Sequence, residues 1–211
     1  MTVTIQKIAP TDIEAESFRI ISNEIGSHDF DPATFKVVQR VIHATGDFNF
    51  AGNMRFSPRA VTRAMELIRA GKNILTDVNM VAAGISKGML ASFGGTVSCY
   101  VANKEVAEIA KESTKTRSEV AIKKGLEDNV GIIAVGNAPT ALLAAMDLLT
   151  SIPPEEWPLI IGVPVGFVNA SESKALLAET EYPFITSLGR KGGSPVAAAI
   201  CNALIRLAKE T

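Results

Sequence analysis

The chain has 211 residues, enough for one domain or two small ones, and its 47% hydrophobic against 20% charged composition allows a sizeable buried core. A net charge of −1 argues against nucleic acid as the main partner. Nor does any apolar run reach the roughly 18–20 residues that a membrane-spanning helix needs.

In chain order, Met1-Thr2-Val3-Thr4 lacks the charged region and following apolar stretch of a signal peptide. Asp12 to Ile25 reads as an amphipathic helix, with Ile13, Phe18, Ile21 and Ile25 on one side and Gly26 beyond its end. Asp31-Pro32, an N-cap followed by a proline at the first helical position, opens a second helix to Ala44. Phe35, Val38 and Ile42 repeat along it at helical spacing, and Gly46 can close it. A short extended stretch over Asn49–Phe56 leads to Ser57-Pro58, which reads as the start of a helix running to about Ala70.

A strand-helix rhythm then sets in. Asn73–Thr76, Thr96–Val101, Val130–Val135, Leu159–Val163 and Pro183–Ser187 are short, apolar or β-branched, and read as strands. Helical segments follow them over Met80–Leu90, Lys104–Ser113 with Arg117–Lys124, Pro139–Leu149, Ser171–Ala178 and Pro195–Lys209. This alternation predicts an α/β fold, a parallel sheet covered on both faces. No composition shift marks a linker, so residues 1–211 read as a single domain. Cys99 and Cys201 lie in apolar segments without metal-ligand spacing, as expected of small buried residues in a reducing compartment, and a cytoplasmic location is expected. No grouping of His, Cys and carboxylates suggests a metal site.

The chemistry should sit in turns at the carboxyl ends of the strands, where helix N-termini present free N–H groups to anions. Three turns are rich in small and polar residues: Gly136–Thr140, Gly162–Phe167 and Gly189–Pro195. None matches a Walker A loop or a dinucleotide fingerprint, although such turns alone would suit a nucleotide-binding α/β enzyme. Thr76–Ile85 offers small apolar residues that suit either a wall against a flat apolar ligand or a buried helix. Thr114–Ser118 is a polar, basic break in which Arg117 can clamp a carboxylate.

His43 stands out among the two histidines, since histidine titrates near neutral pH without help. In the last turn of its helix it feels the negative end of the dipole, which favours imidazolium by about 0.3–1 kcal/mol. Arg40, one turn earlier, opposes protonation by like-charge repulsion. No carboxylate or cysteine partner is evident in sequence. His28, in a Gly-Ser-His-Asp loop, reads as a surface residue.

Taken together, several segments resemble the precorrin-8X methylmutase family. They are Arg40-Val-Ile-His43-Ala44, Phe56-Ser57-Pro58, Thr76-Asp77-Val78 with Met80–Gly84, Ile133–Leu142, Pro164–Val168 and Gly189–Ser194. The resemblance covers almost the whole chain. It implies a three-layer α/β/α sandwich around a five-stranded parallel sheet and a homodimer with sites at the subunit interface. It also implies an isomerase of cobalamin biosynthesis that moves a methyl group from C-11 to C-12 of precorrin-8X or cobalt-precorrin-8, giving hydrogenobyrinic or cobyrinic acid with no cofactor or methyl donor. His43 matches the catalytic histidine, which protonates the substrate and eases a 1,5-sigmatropic shift. Ser17, Arg40, Met80, Val81, Ala82 and Asn137 fall where substrate contacts are expected, and Arg117 where an arginine of the other subunit holds the substrate. A corrin-type ring fringed with carboxylates fits small apolar walls, N–H-rich helix starts and a few arginines. The competing reading is a non-catalytic tetrapyrrole-binding protein of the same fold.

Overall fold

The computed structural model describes residues 7–210, so the Met1–Thr4 stretch lies outside the described residues. The chain runs α1 (Ile13–Ile25), α2 (Pro32–Thr45), α3 (Asn49–Asn53), β1 (Met54–Phe56), α4 (Ala60–Arg69), β2 (Asn73–Thr76), α5 (Asn79–Gly84), α6 (Lys87–Ala91) and β3 (Val97–Ser98). It continues through α7 (Lys104–Glu112), α8 (Arg117–Gly125), β4 (Val130–Val135), α9 (Pro139–Leu149), β5 (Leu159–Gly162), α10 (Ala170–Ala178), β6 (Phe184–Ser187) and α11 (Ser194–Glu210). The strands form one sheet in the order β1-β6-β5-β4-β2-β3.

The five expected strands are parallel neighbours. The sheet has six strands rather than five, because Met54–Phe56 adds an antiparallel edge to β6, with Arg55 opposite Thr186. Ser57 continues that pairing instead of capping a helix. Its N–H donates to the Phe184 carbonyl and its hydroxyl accepts from the Phe184 N–H at 2.8 Å. The helix therefore starts at Ala60, after Arg59 in a left-handed conformation.

Two-residue periodicity splits the apolar strands between two cores. Ile74, Ile132, Ala134 and Ile161 face one core, shared with α2, α4, α5 and α11. Leu75, Ile133, Val135 and Ile160 face the other, shared with α8, α9 and Leu177 of α10. That is the three-layer sandwich. Within the first layer α11 packs against α2, α4 and α5, and its Ala197–Ala199 run admits close approach.

One predicted helix is broken. Residues 80–90 split into α5 and α6 at Ile85, which is extended and buried. Asn202 of α11 satisfies both sides of the break: its amide accepts from Ser86 N–H at 2.8 Å and donates to the Gly84 carbonyl at 2.8 Å. Among the described residues no helix is long and apolar enough to cross a membrane. Both cysteines are free thiols; Cys201 is buried and Cys99 partly so.

Candidate active site

The carboxyl edge of the parallel strands carries the turns into α5, α9, α10 and α11, and the end of α2 reaches the same edge. Asp31 caps α2, accepting from the Ala33 and Thr34 N–H groups, and Gly46 closes it in a left-handed conformation, donating to the Ile42 carbonyl. Asp47 then pairs with Lys191 of the β6–α11 turn at 2.5 Å. His43, one turn before this junction, is exposed.

A charged cluster surrounds it. The Phe18 ring of α1 lies edge-on to the His43 ring, with centroids 5.4 Å apart. The Arg40 guanidinium lies 4.6 Å from the centroid of that Phe18 ring. Arg40 also grips Glu14 of α1 with two bonds, Nη1 to Oε2 at 2.7 Å and Nη2 to Oε1 at 3.1 Å. Arg206 of α11 reaches the same carboxylate at 3.3 Å. The hydrogen bonds from Arg40 hold the Glu14 carboxyl below the usual carboxylate range, with the charges of Arg40, Arg206 and His43 adding to the effect. The charge of Arg40 beside His43 is thus matched by a carboxylate that the sequence did not bring to attention.

Ser17 sits next to Phe18 on α1, partly buried, its hydroxyl donating to the Ile13 carbonyl. At the β2–α5 turn Met80 is 68% exposed, whereas Val81 and Ala82 point into the core. Met80 alone of the three is exposed. His28 is exposed and stacks on Phe35.

The opposite layer carries Arg117, exposed at the first position of α8. Asn137 is exposed in the β4–α9 turn at the carboxyl edge, where its N–H donates to Asp77 of the β2–α5 turn. The Thr116 and Thr140 hydroxyls, 2.9 Å apart, tie the starts of α8 and α9 together. His43 belongs to the other layer, so the sheet separates Arg117 from it within one chain.

Asp77, fully buried in the β2–α5 turn, organises the β4–α9 turn. Its Oδ1 accepts from Gly136 N–H at 3.0 Å, and its Oδ2 from Asn137 and Ala138 N–H at 2.9 and 2.8 Å. Burial pushes its carboxyl up from the ordinary range, and the three N–H groups pull it back. Only glycine fits at 136, since a Cβ there would lie 2.7 Å from Val81 Cγ2 and 2.9 Å from Ser194 Cα.

Lys174 of α10 anchors the β6–α11 turn. It is fully buried, donates to the Lys191 carbonyl at 2.6 Å, and burial lowers its pKa to about 8. A lysine whose folded pKa lies below its unfolded one costs stability when the unfolded state is protonated and the folded state resists protonation. Unfolding free energy should therefore rise with pH between 8 and 10.5, as the unfolded state loses its advantage. Lys174→Met should flatten that rise relative to the wild type in urea titrations at pH 7.5 and 10. An equal difference between the two proteins at both pH values would show that Lys174 does not titrate in this window.

The C-terminal edge also exposes apolar side chains, Val165 at 48%, Phe167 at 84% and Val168 at 77%. Arg190 lies 5.4 Å from the Phe167 ring. Two clefts of about 750 and 730 Å³ lie elsewhere, one by Arg63, Lys72 and Ile152, the other between α7, α8 and α9, and neither includes His43. Among the described residues no three His, Cys, Asp or Glu side chains converge to hold a metal ion.

Residues 12–207 match the precorrin-8X methylmutase family. The chain is 42% identical over 203 residues to the cobalt-precorrin-8 methylmutase of Priestia megaterium, covering 95% of this chain and 89% of that protein. It is 38% identical over 197 residues to a precorrin-8X methylmutase of a Sinorhizobium species, covering 92% and 93%. The crystal structure of a precorrin-8X methylmutase from Thermus thermophilus superposes with a TM-score of 0.86 at 43% identity, over 95% of this chain and 97% of that one.

Proposed function

The chain belongs to the precorrin-8X methylmutase family, and from that premise we propose that it isomerises precorrin-8X or its cobalt form, moving a methyl group from C-11 to C-12 of the macrocycle. The product is hydrogenobyrinic or cobyrinic acid, and the reaction consumes neither cofactor nor methyl donor. His43 donates a proton to the conjugated ring, the methyl group migrates within the resulting cation, and loss of one proton restores the charge, so the atoms balance as an isomerisation. The observation that carries this reading is an exposed histidine at a helix end, set against Phe18 and the Arg40–Glu14 pair at the carboxyl edge of the sheet. Ser17, Arg40, Met80 and Asn137 contact the substrate, and Val81 and Ala82 form the floor beneath Met80. The whole chain acts as one methylmutase domain in the cytoplasm, a location supported by its two free thiols.

A homodimer completes the site. A broad ring carrying carboxylates needs cover, and the exposed Val165, Phe167 and Val168 suit an interface or an apolar ligand. Arg117, on the far layer from His43, then serves the neighbouring subunit's site. Mixed His43→Ala and Arg117→Ala dimers each contain one intact site if the residues act in trans, so re-assorted mixtures should regain about a quarter of wild-type activity. Mixtures as inactive as the parents would place both residues in one subunit's site.

The reaction itself is tested by following the colour change of metal-free and cobalt-loaded substrates side by side with purified protein. Conversion of either supports the isomerase. Tight product binding with no turnover of either substrate would make the protein a tetrapyrrole carrier.

A further inference from the structure

We propose that Glu14 is a positioning residue for the methyl shift: its carboxylate fixes the Arg40 guanidinium over Phe18, the same ring that packs against His43. This rests on the reading of Arg40 as a substrate contact. Glu14 stands on α1, and the groups that meet it come from two other elements. Arg40 and His43 face it from α2, and Arg206 faces it from α11. On its own helix, Glu16 is engaged by Arg19 at 2.5 Å and does not compete. Beyond the cluster, Lys36 of α2 pairs with Glu210 of α11, and Asp47 with Lys191. The Glu14 carboxylate is therefore shared by two guanidinium groups.

The geometry gives each member a distinct part. The fork from Arg40 to Glu14 uses one N–H from each Nη and leaves the Nε–H and one further N–H on each Nη for a ligand carboxylate. The side chain of Arg40 is only 14% exposed, so its position is held by packing as well as charge. Phe18 carries Arg40 over its ring and meets the His43 ring in a T-shaped contact, so one aromatic side chain sets the spacing of both. Arg206, 47% exposed, meets the same carboxylate at 3.3 Å, a longer contact than that of Arg40. Removing Arg206 should therefore disturb Arg40 less than removing Glu14.

The test is kcat and KM for the wild type, Glu14→Gln, Glu14→Asp, Arg206→Gln and Arg40→Ala, with thermal stability measured alongside. Glu14→Gln should raise KM severalfold through the loosened Arg40, with kcat less affected. Glu14→Asp should recover part of the loss, and Arg206→Gln should change KM less than Glu14→Gln does. A purely structural Glu14 would lower stability and leave KM in place. If Glu14→Gln keeps the wild-type KM while Arg40→Ala raises it, the inference about Glu14 is wrong and the substrate contact of Arg40 stands. If Arg40→Ala also keeps the wild-type KM, it is the reading of Arg40 that fails. Should Glu14→Gln not fold, a KM of Glu14→Asp between those of the wild type and Arg40→Ala supports the inference, and a wild-type KM overturns it.

Discussion

His43→Ala should lower turnover by about 10²–10⁴-fold, the contribution of one well-placed general acid, while leaving the fold intact. The two halves of this expectation have separate causes. The imidazole is exposed at the end of α2 and its nearest ring partner is the edge of Phe18, so its removal should cost at most about 0.5–1.5 kcal/mol of stability. The catalytic loss is larger because a methyl shift within a conjugated ring needs little side-chain machinery, and the proton is the one charge that the protein adds to the reacting system. On the proposed mechanism the remaining barrier reduction comes from orientation of the bound substrate, which the substitution does not touch. Substrate affinity should accordingly change less than kcat. The measurement is single-turnover conversion with substrate in limiting amount, beside a thermal melt. Conversion at the wild-type rate by a folded His43→Ala would remove the histidine from the mechanism and leave orientation as the whole of catalysis.

The parts of this molecule that its sequence announces are those determined within about fifteen residues. Asp31-Pro32 and Gly46 punctuate α2, so its ends fall within a residue of expectation, and α9 runs over Pro139–Leu149 as read. The parallel core is legible because strands buried on both faces are unbroken apolar runs, such as Ile132–Val135. The edge strand β1 is not, since three residues owe their conformation to β6, about 130 residues later. Ser57 misleads for the same reason: its local pattern is that of a helix cap, and a distant backbone uses its hydroxyl first. The break at Ile85 is set by Asn202. At the site, His43 is legible from its helix end, but its carboxylate is not. Glu14 lies 26 residues before Arg40 and 192 before Arg206. Four-residue spacing does put Glu14 and Phe18 on one face of α1, a signal strong enough to have raised the question. Asp77 stands in a motif that the sequence marks, yet its role depends on N–H groups about sixty residues on.

Asp77→Ala should be the most destabilising of the substitutions considered, by about 3–5 kcal/mol. The reason lies in α9. Its N-cap is Ala138, which has no side chain to accept from the first turn, and Pro139 follows it. The turn that enters the helix is held from the β2–α5 turn instead, with one carboxylate taking the Gly136, Asn137 and Ala138 N–H groups. Deleting it orphans three donors just before the helix, one buried and two part-buried, each worth about 1–3 kcal/mol when unsatisfied, with some relief from water entering the gap. For a chain of this length that corresponds to a fall in Tm on the order of 6–20 °C. Asp77→Asn keeps one acceptor oxygen and turns an NH₂ group towards the remaining N–H donor, so its loss should be smaller but clear, about 2 kcal/mol. The same turn carries Asn137, so the asparagine variant, assayed below its melting point, should show a raised KM with kcat less affected. The Ala variant unfolding in urea within about 1 kcal/mol of the wild type would mean that water serves the three N–H groups as well as the carboxylate does. The reverse pattern, kcat lost and KM kept, would instead place Asp77 on the path of the proton, since a carboxylate that only shapes the binding surface has no means of changing the chemical step.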